Sequence, residues 1–431
     1  MKQFGFLLVA AFGLVACGDQ ELILEGERLD VVGTAEEVVV NRAEPLNLPP
    51  ARVNADWTHL GGNTQHHLAH VSLGRTLNLA WSAAIGEGNG RKHRITADPV
   101  LGGGRVFTMD SRATVSAFTT GGAPIWTQDL TPASERTDEG SGGGLALGGG
   151  TLFVTSSFGE LNALSAATGE RLWTQKLESL ATGAPTYADG VVYLVTRNNI
   201  GWALDADNGR ILWQVLGADS RSGVAGGAAP AIAGGQVIFP LSSGQLVAAA
   251  TGVGNQTWAA SVAGERLGRA FSRYSDLTGD PVVASDVVYA GNHSGRAAAF
   301  SAINGQRVWR ANEGALSPVW VAGGGVFLVS DENRLIRLDA ATGETVWAVD
   351  LPFFERERIR RREATVSHFG PVLASGRLIL VSNDGLLREF DPVSGALTGT
   401  LELPRGAVRN PVIAGGTLYI VTENGQLHAF R

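Results

Sequence analysis

Leu338-Asp339-Ala340-Ala341-Thr342-Gly343-Glu344-Thr345-Val346-Trp347 is the stretch that decides the fold. A strand end runs into a tight turn, and a second β-branched run carries a tryptophan four positions after the glycine. The same Gly-x-x-x-Trp spacing recurs at Gly122/Trp126, Gly169/Trp173, Gly209/Trp213, Gly254/Trp258 and Gly305/Trp309. A seventh copy keeps Gly395 and has Gly399 where the tryptophan would stand. Successive tryptophans lie 47, 40, 45, 51 and 38 residues apart. A period of about 40–50 residues built from short strands marks a β-propeller. The 431 residues would otherwise suggest about three domains. One closed ring can be this long, and 58 glycines with only 17% charged residues fit many tight turns and much buried strand.

Working outward, every copy fits one template. Each opens near a proline: Pro99, Pro185, Pro230, Pro281, Pro371 or Pro411, with Leu145 and Val319 at the equivalent places of two copies. A short apolar strand follows, then a glycine turn such as Gly102-Gly103-Gly104 or Gly323-Gly324-Gly325. Next come a β-branched run such as Val191-Val192-Tyr193-Leu194-Val195 and a hairpin dipeptide such as Ser294-Gly295 or Asn424-Gly425. A third, alternating strand leads to the Gly-x-x-x-Trp turn, which places the tryptophan on the outermost strand. Copies start near residues 97, 143, 183, 228, 279, 317, 369 and 409. The spacing therefore predicts an all-β, eight-bladed propeller with four antiparallel strands per blade.

The eighth copy ends at Arg431 after three strands. Its outer strand is expected near the start, at Leu77-Asn78-Leu79-Ala80-Trp81, since Trp81 lies 45 residues before Trp126. Pairing the two chain ends would close the ring and remove exposed edges. The repeated tryptophans are read as flat fillers of the widening gap between wedge-shaped blades. Trp57, Trp202 and Trp320 fall outside the pattern, as core or contact residues.

Ahead of the ring, residues 1–16 read as a signal peptide: Lys2, then an apolar run from Phe4 to Ala16 too short to span a bilayer. Small residues precede Cys17 in Leu14-Val15-Ala16-Cys17, and Cys17 is the single cysteine. That arrangement resembles the bacterial lipobox, which implies lipid attachment at Cys17. Gly18 follows the cysteine and Asp19 comes one place later, which favours delivery to the outer membrane, on its periplasmic side. Residues 17–54 read as a flexible acidic tether: Asp19, Glu21, Glu25, Glu27, Asp30, Glu36, Glu37 and Glu44 outnumber Arg28, Arg42 and Arg52, and aromatics are absent. The propeller is assigned 55–431. A formal net charge of −7 without a basic stripe argues against nucleic-acid binding.

Residues 338–347, 163–173 and 203–213 resemble the tryptophan-docking repeat of pyrroloquinoline-quinone (PQQ) propellers. Two exported families carry such repeats: quinoprotein dehydrogenases and the outer-membrane assembly lipoproteins of the BamB family. The chain resembles the second in its lipobox, acidic tether, length, and opening motif Asp56-Trp57-Thr58-His59-Leu60-Gly61-Gly62-Asn63. That resemblance implies a non-catalytic scaffold of the β-barrel assembly machinery that assists folding and insertion of outer-membrane β-barrel proteins. It implies contact with the periplasmic domains of the barrel-forming, BamA-like subunit, and with nascent outer-membrane proteins along exposed strand edges. The corresponding loops are 216–229 and 264–280. Within 273–281, Asp276 matches the family's first contact aspartate and Thr278 replaces the second, with Arg273 opening the segment. In the earlier loop only Val224 keeps the family's apolar character, and Ala225 stands where an arginine is usual.

The alternative is a periplasmic PQQ-dependent dehydrogenase. Such an enzyme would need a calcium site, a general-base aspartate, cations for the cofactor's carboxylates and commonly a vicinal disulfide, which one cysteine cannot form. No cofactor, metal or catalytic residue is expected. Asp205-Ala206-Asp207-Asn208-Gly209 reads as a docking turn rather than a calcium loop. His66 and His70 have zinc-like spacing only on a helix, and their surroundings read as loop. Gly86-Glu87-Gly88-Asn89-Gly90 opens no helix and so cradles no phosphate. The charged stretch 353–363, with Phe353, Phe354 and several arginines, is either a solvated loop or a docking finger.

Overall fold

The computed structural model describes residues 40–137, 140–181, 183–218, 226–262, 264, 266, 276–356, 358, 360 and 362–431. Eight four-stranded antiparallel sheets follow one another along the chain as blades. Blades 1–7 span 100–129, 143–176, 186–216, 231–261, 277–311, 320–350 and 368–402. Blade 8 combines Val412–Ala414, Thr417–Thr422 and Gln426–Phe430 with Leu79–Ala84 as its outer strand. Trp81 pairs with Ala429 across that seam, and Asn78 and Arg431 exchange backbone hydrogen bonds of 2.7 and 2.9 Å. The expected closure by the N-terminal strand is thus the observed one.

Strand residues alternate between two buried faces, so each core lies between blades rather than within one. In blade 3, Val192, Leu194, Trp202 and Leu204 pack toward blade 2, while Tyr193, Val195 and Ala203 pack toward blade 4. Trp202 is one of the tryptophans outside the repeat; it is fully buried and its Nε1 donates to Thr196 Oγ1 at 2.9 Å.

The tryptophans join each blade to the next one. Trp81 lies under Gly122, Trp126 under Gly169, Trp173 under Gly209, Trp213 under Gly254, Trp258 under Gly305, Trp309 under Gly343 and Trp347 under Gly395. A Cβ on any of these glycines would come within 2.5–2.8 Å of the indole, and each has φ between +70 and +90°. Only glycine meets both demands without strain. The indole N–H then donates to a carbonyl of the same turn: Trp126 to Ala166 at 3.2 Å, Trp173 to Ala206 at 2.9 Å, Trp309 to Ala340 at 2.9 Å and Trp347 to Pro392 at 3.2 Å. Trp213 differs. Its buried Nε1 has no partner, and the hydroxyl of Tyr193 donates to Thr251 O in that turn at 3.4 Å. At the seam between blades 7 and 8 the docking turn is replaced by the chain ends. There Gly399 takes the tryptophan's place, and Arg377 bridges Glu389 (2.7 Å) and the carbonyls of Gly74 and Arg75 (2.6 and 2.9 Å).

Residues 54–71 cross the end of the central channel and bond to the innermost strand of every blade in turn. Gly415 N–H donates to Asn54 O in blade 8, and Trp57 and Leu101 exchange bonds in blade 1. Leu147 N–H donates to Thr58 O, Tyr187 N–H to His59 Nε2, Ile232 N–H to Thr64 O and Val283 N–H to Gln65 O. His67 Nε2 donates to Val321 O, and Val71 bonds with Leu373 and Ser375. The inner strands are edges facing the axis, and this segment satisfies their otherwise unpaired groups. Trp57 and Trp320 stack at 6.3 Å between ring centres, with Trp320 Nε1 donating to Ala69 O. Residues 40–54, read from sequence as the end of the tether, lie against blades 6 and 8. Arg42 N–H donates to Val346 O, the Asn41 amide brackets Ala348, and Asn47 N–H donates to Gly323 O.

Replacing indole by phenyl should cost more where the N–H is bonded. Trp309→Phe is expected to lower stability by about 1 kcal/mol more than Trp213→Phe, the net worth of one buried hydrogen bond. Urea midpoints of both variants would check this; equal losses would refute the assigned role of the indole N–H.

Candidate functional site: the open mouth of the channel

With one end of the channel crossed by 54–71, the other end carries the loops that lead into each blade. A cavity of about 360 Å³ opens there. Its walls come from the first residues of the inner strands, and the residue before each opening proline is placed at the hub. Asp98, Ala184, Asp280 and Asn410 occupy that position and line the cavity, together with Ser317 from the loop into blade 6. Proline biases its predecessor toward extended backbone, so Asp98, Ala184, Asp280 and Asn410 reach the cavity from equivalent places on their blades.

Two buried acids meet in this cavity. Asp98, on blade 1, accepts from Arg409 Nε at 2.5 Å and from Asn410 Nδ2 at 2.9 Å, both at the start of blade 8. Asn410 Oδ1 in turn accepts from Gly370 N–H of blade 7 at 3.0 Å. Asp280, on blade 5, accepts from Ala229 N–H at the start of blade 4 at 2.5 Å. Burial pushes the Asp280 carboxyl up to about 7; the Asp98 charge adds to the rise, while the Ala229 bond and Arg409 oppose it. Behind them, burial brings His59 down to about 3 and His66 down to about 4. Both are neutral: His59 Nε2 accepts from Tyr187 N–H, and His66 Nδ1 donates to Pro281 O at 3.0 Å.

The sequence-derived candidates distribute as follows. Cys17, Val224, Ala225 and Arg273 lie outside the described residues. Asp276 is buried, 3% exposed, at the foot of its loop, and Thr278 Oγ1 donates to Ala315 O at 2.8 Å while lining the cavity. Neither is a freely solvated loop residue. His66 and His70 do not share a helical face: His66 has φ of 55°, and His70 donates to Pro49 O and accepts from Gly376 N–H. Asp205 accepts from Asp207 N–H within the docking turn under which Trp173 lies. The 353–363 stretch is bonded at its start to the residues that follow it. Phe354 bridges Thr365, Glu355 N–H donates to Ala364 O, and the Arg362 guanidinium lies 5.0 Å from the Phe354 ring centre. Phe353, Thr365 and Val366 border the cavity mouth.

The sequence singles out neither Asp98 nor Arg409, and Asp280 stands in it only as the end of the 273–281 segment. Their signal was present: Asp98-Pro99, Asp280-Pro281 and Asn410-Pro411 put polar residues at a repeat position that is otherwise small. Among the described residues, no three His, Cys, Asp or Glu side chains gather as metal ligands.

A ring of eight sheets whose indoles dock under the next blade's glycine turn is a propeller of the PQQ-repeat class. The profile described as "Outer membrane protein assembly factor BamB" matches residues 111–349, more than half of the chain, and the chain belongs to that family. The BamB of Yersinia pestis is 27% identical over 359 residues, covering 81% of this chain and 88% of the relative. Among solved structures, BamB from Moraxella catarrhalis superposes with a TM-score of 0.69 at 18% identity, covering 83% of this chain and all of that one. Quinohemoprotein alcohol dehydrogenase from Comamonas testosteroni gives 0.67 at 17% identity, covering 88% and 81%. These two likenesses establish the shared fold.

The buried titrating groups oppose one another in their effect on stability. Asp280 holds its proton in the folded state up to about pH 7 but loses it near pH 4 when unfolded, so its contribution falls as pH rises from 4 to 7. His59 and His66 stay neutral when folded, so theirs is present above pH 6.5 and lost on acidification toward pH 4. Asp280→Asn should therefore gain stability relative to the parent as pH goes from 5 to 8. Thermal midpoints at those two pH values would check it; a pH-independent difference would contradict the ionisation assigned to Asp280.

Proposed function

We propose that this protein is a lipid-anchored, non-catalytic scaffold of the β-barrel assembly machinery. It would be held at Cys17 on the periplasmic side of the outer membrane and would assist folding and insertion of barrel proteins. The single observation that carries the reading is membership of the BamB family over a closed propeller with all eight blades in place. In this reading, loops 216–229 and 264–280 contact the periplasmic domains of the barrel-forming subunit. Val224, Ala225 and Arg273 supply the contact, while Asp276 and Thr278 shape its base. Their roots stand side by side on the open rim, and Asp280 binds one to the other.

Outer strands offer a second surface. Blade 3 exposes Ile211, Leu212 and Leu216 along its edge, and blade 5 exposes Val308, whereas Asn41 and Arg42 cover the edge of blade 6. Free edges of this kind suit nascent β-segments that add as an extra strand.

A PQQ-dependent dehydrogenase fits the cavity less well. A tricarboxylate cofactor would meet the Asp98 and Asp280 carboxyls, and the nearby Arg409 is already paired with Asp98 at 2.5 Å. Photocrosslinking in cells from positions 224 and 273 is expected to capture the barrel-forming subunit, and deletion of the gene to lower the levels of outer-membrane barrel proteins. Unchanged barrel levels with no such capture would sink the scaffold reading. Dye-linked alcohol oxidation after loading purified protein with PQQ and Ca²⁺ would replace it with the enzyme.

A further inference from the structure

We infer that the cavity at the open mouth is a binding site for a small primary amine, whose ammonium group sits on Asp280 and Ser317 and whose alkyl chain lies along Leu60 and Ala184. The inference stands apart from the scaffold reading, because it uses only residues at the hub.

Three carboxyls, Asp98, Asp280 and Asp331, line the cavity, and two of them already have their partners. Asp98 accepts on Oδ1 from Arg409 Nε at 2.5 Å and on Oδ2 from Asn410 Nδ2 at 2.9 Å. Asp331 accepts on Oδ2 from Arg266 Nε at 2.7 Å and on Oδ1 from Gly314 N–H at 2.9 Å. Asp280 differs. Among the described residues only Ala229 N–H donates to it from another residue, on Oδ1, and no cation forms an ion pair with it. It is nonetheless buried, at 5% exposure. Ser317, 6% exposed, lines the same cavity, and its hydroxyl has no hydrogen-bond partner among the described residues. The two residues are neighbours: a Cβ on Gly279, next to Asp280 in the chain, would lie 2.9 Å from the Ser317 carbonyl oxygen. On the other side, Leu60, Ala184 and Ala229 form one buried apolar cluster. Ala229 is the residue bonded to Asp280, so an apolar wall begins beside the carboxyl.

A buried carboxylate without a counter-charge is costly, and a ligand that brings a cation removes that cost. A guanidinium binds best to both oxygens of a carboxylate, and here Oδ1 is taken by Ala229 N–H. A compact ammonium needs only the second oxygen, and its remaining donors suit the Ser317 hydroxyl. The volume of about 360 Å³ lies within the range of small-molecule sites, roughly 300–1,000 Å³. The ionisation of Asp280 agrees with this arrangement. Its carboxyl is pushed up to about 7 by burial, with the Asp98 charge adding to the rise and Arg409 opposing it. Burial lowers His59, His66 and His368, so Asp280 is the group whose charge changes most between pH 6 and 8. An amine that stays charged over that range binds the ionised form, and its affinity rises as the proton leaves.

Calorimetric titration of the full-length mature chain with n-butylamine tests the site. At pH 8, saturable binding is expected with a Kd of about 1 mM or tighter, within reach of a ligand of about five non-hydrogen atoms. At pH 6 the same titration should show binding about tenfold weaker, following the ionised fraction of Asp280. Asp280→Asn keeps an acceptor for Ala229 N–H and removes the charge. It should weaken binding at pH 8 by about tenfold or more and abolish the pH dependence. Ser317→Ala should weaken binding by about threefold, the effect of one lost hydrogen bond. n-Butanol has the same shape without the charge and should not bind. No saturable binding of butylamine to the parent at pH 8, or undiminished binding to Asp280→Asn, overturns the site. Butanol binding as tightly as butylamine overturns the role of the charge. Ca²⁺ or K⁺ binding more tightly than butylamine, with loss in Asp280→Asn, replaces the amine site with a metal site.

Discussion

The structure depends on one contact made seven times: an indole on the outer strand of one blade lying under a left-handed glycine turn of the next. Blades are wedges, and the gap between neighbours widens away from the axis. Only a large flat side chain fills that gap, and only a residue without a Cβ lets the turn close over it. At six of the seven contacts an indole N–H bond to the turn then fixes the angle between blades as well as their separation. Because each blade docks on its successor, the errors of all eight junctions add around the ring. A precise repeated contact is what allows the last blade to meet the first.

The eighth junction shows what happens when the device is unavailable. Between blades 7 and 8 the turn would fall where the chain begins and ends, so no glycine can cap an indole there. Gly399 replaces the tryptophan, and the Arg377 bridge to Glu389, Gly74 and Arg75 substitutes polar bonds for ring packing. The strand that carries Trp81 then restores the ordinary contact at the following junction, under Gly122. Ring closure therefore joins the two chain ends by backbone pairing and secures the seam through Arg377, which donates to the Gly74 and Arg75 carbonyls.

Closure also creates an inner rim of strand edges facing the axis. Residues 54–71 meet that demand by visiting the eight blades in order, and they thereby distinguish the two mouths of the channel. One mouth is filled by Trp57, His59, His66 and Trp320. The other keeps a polar cavity whose character is set by the residue before each opening proline. The asymmetry makes the two mouths of the ring chemically different, one closed by aromatic and imidazole rings and the other lined by Asp98 and Asp280.

The repeat period, the glycine turns and the terminal half-blade determined the architecture, because strands of this size and the Gly-x-x-x-Trp turn are local features written in neighbouring residues. Trp81 could be assigned to the last blade on spacing alone. The lipobox and the resemblance to the BamB family were equally local. Tertiary structure alone decided which blade each tryptophan serves, since the glycine beside it in sequence caps a different ring. It decided that Asp56-Trp57-Thr58-His59 begins a segment that runs around the hub, and that His66 and His70 bond to separate carbonyls. It also decided that Asp98 and Asp280, 182 positions apart, share one cavity. A repeat fixes what every blade has in common. What gathers at the axis comes from all the blades at once, and its chemistry exists only after the ring has closed.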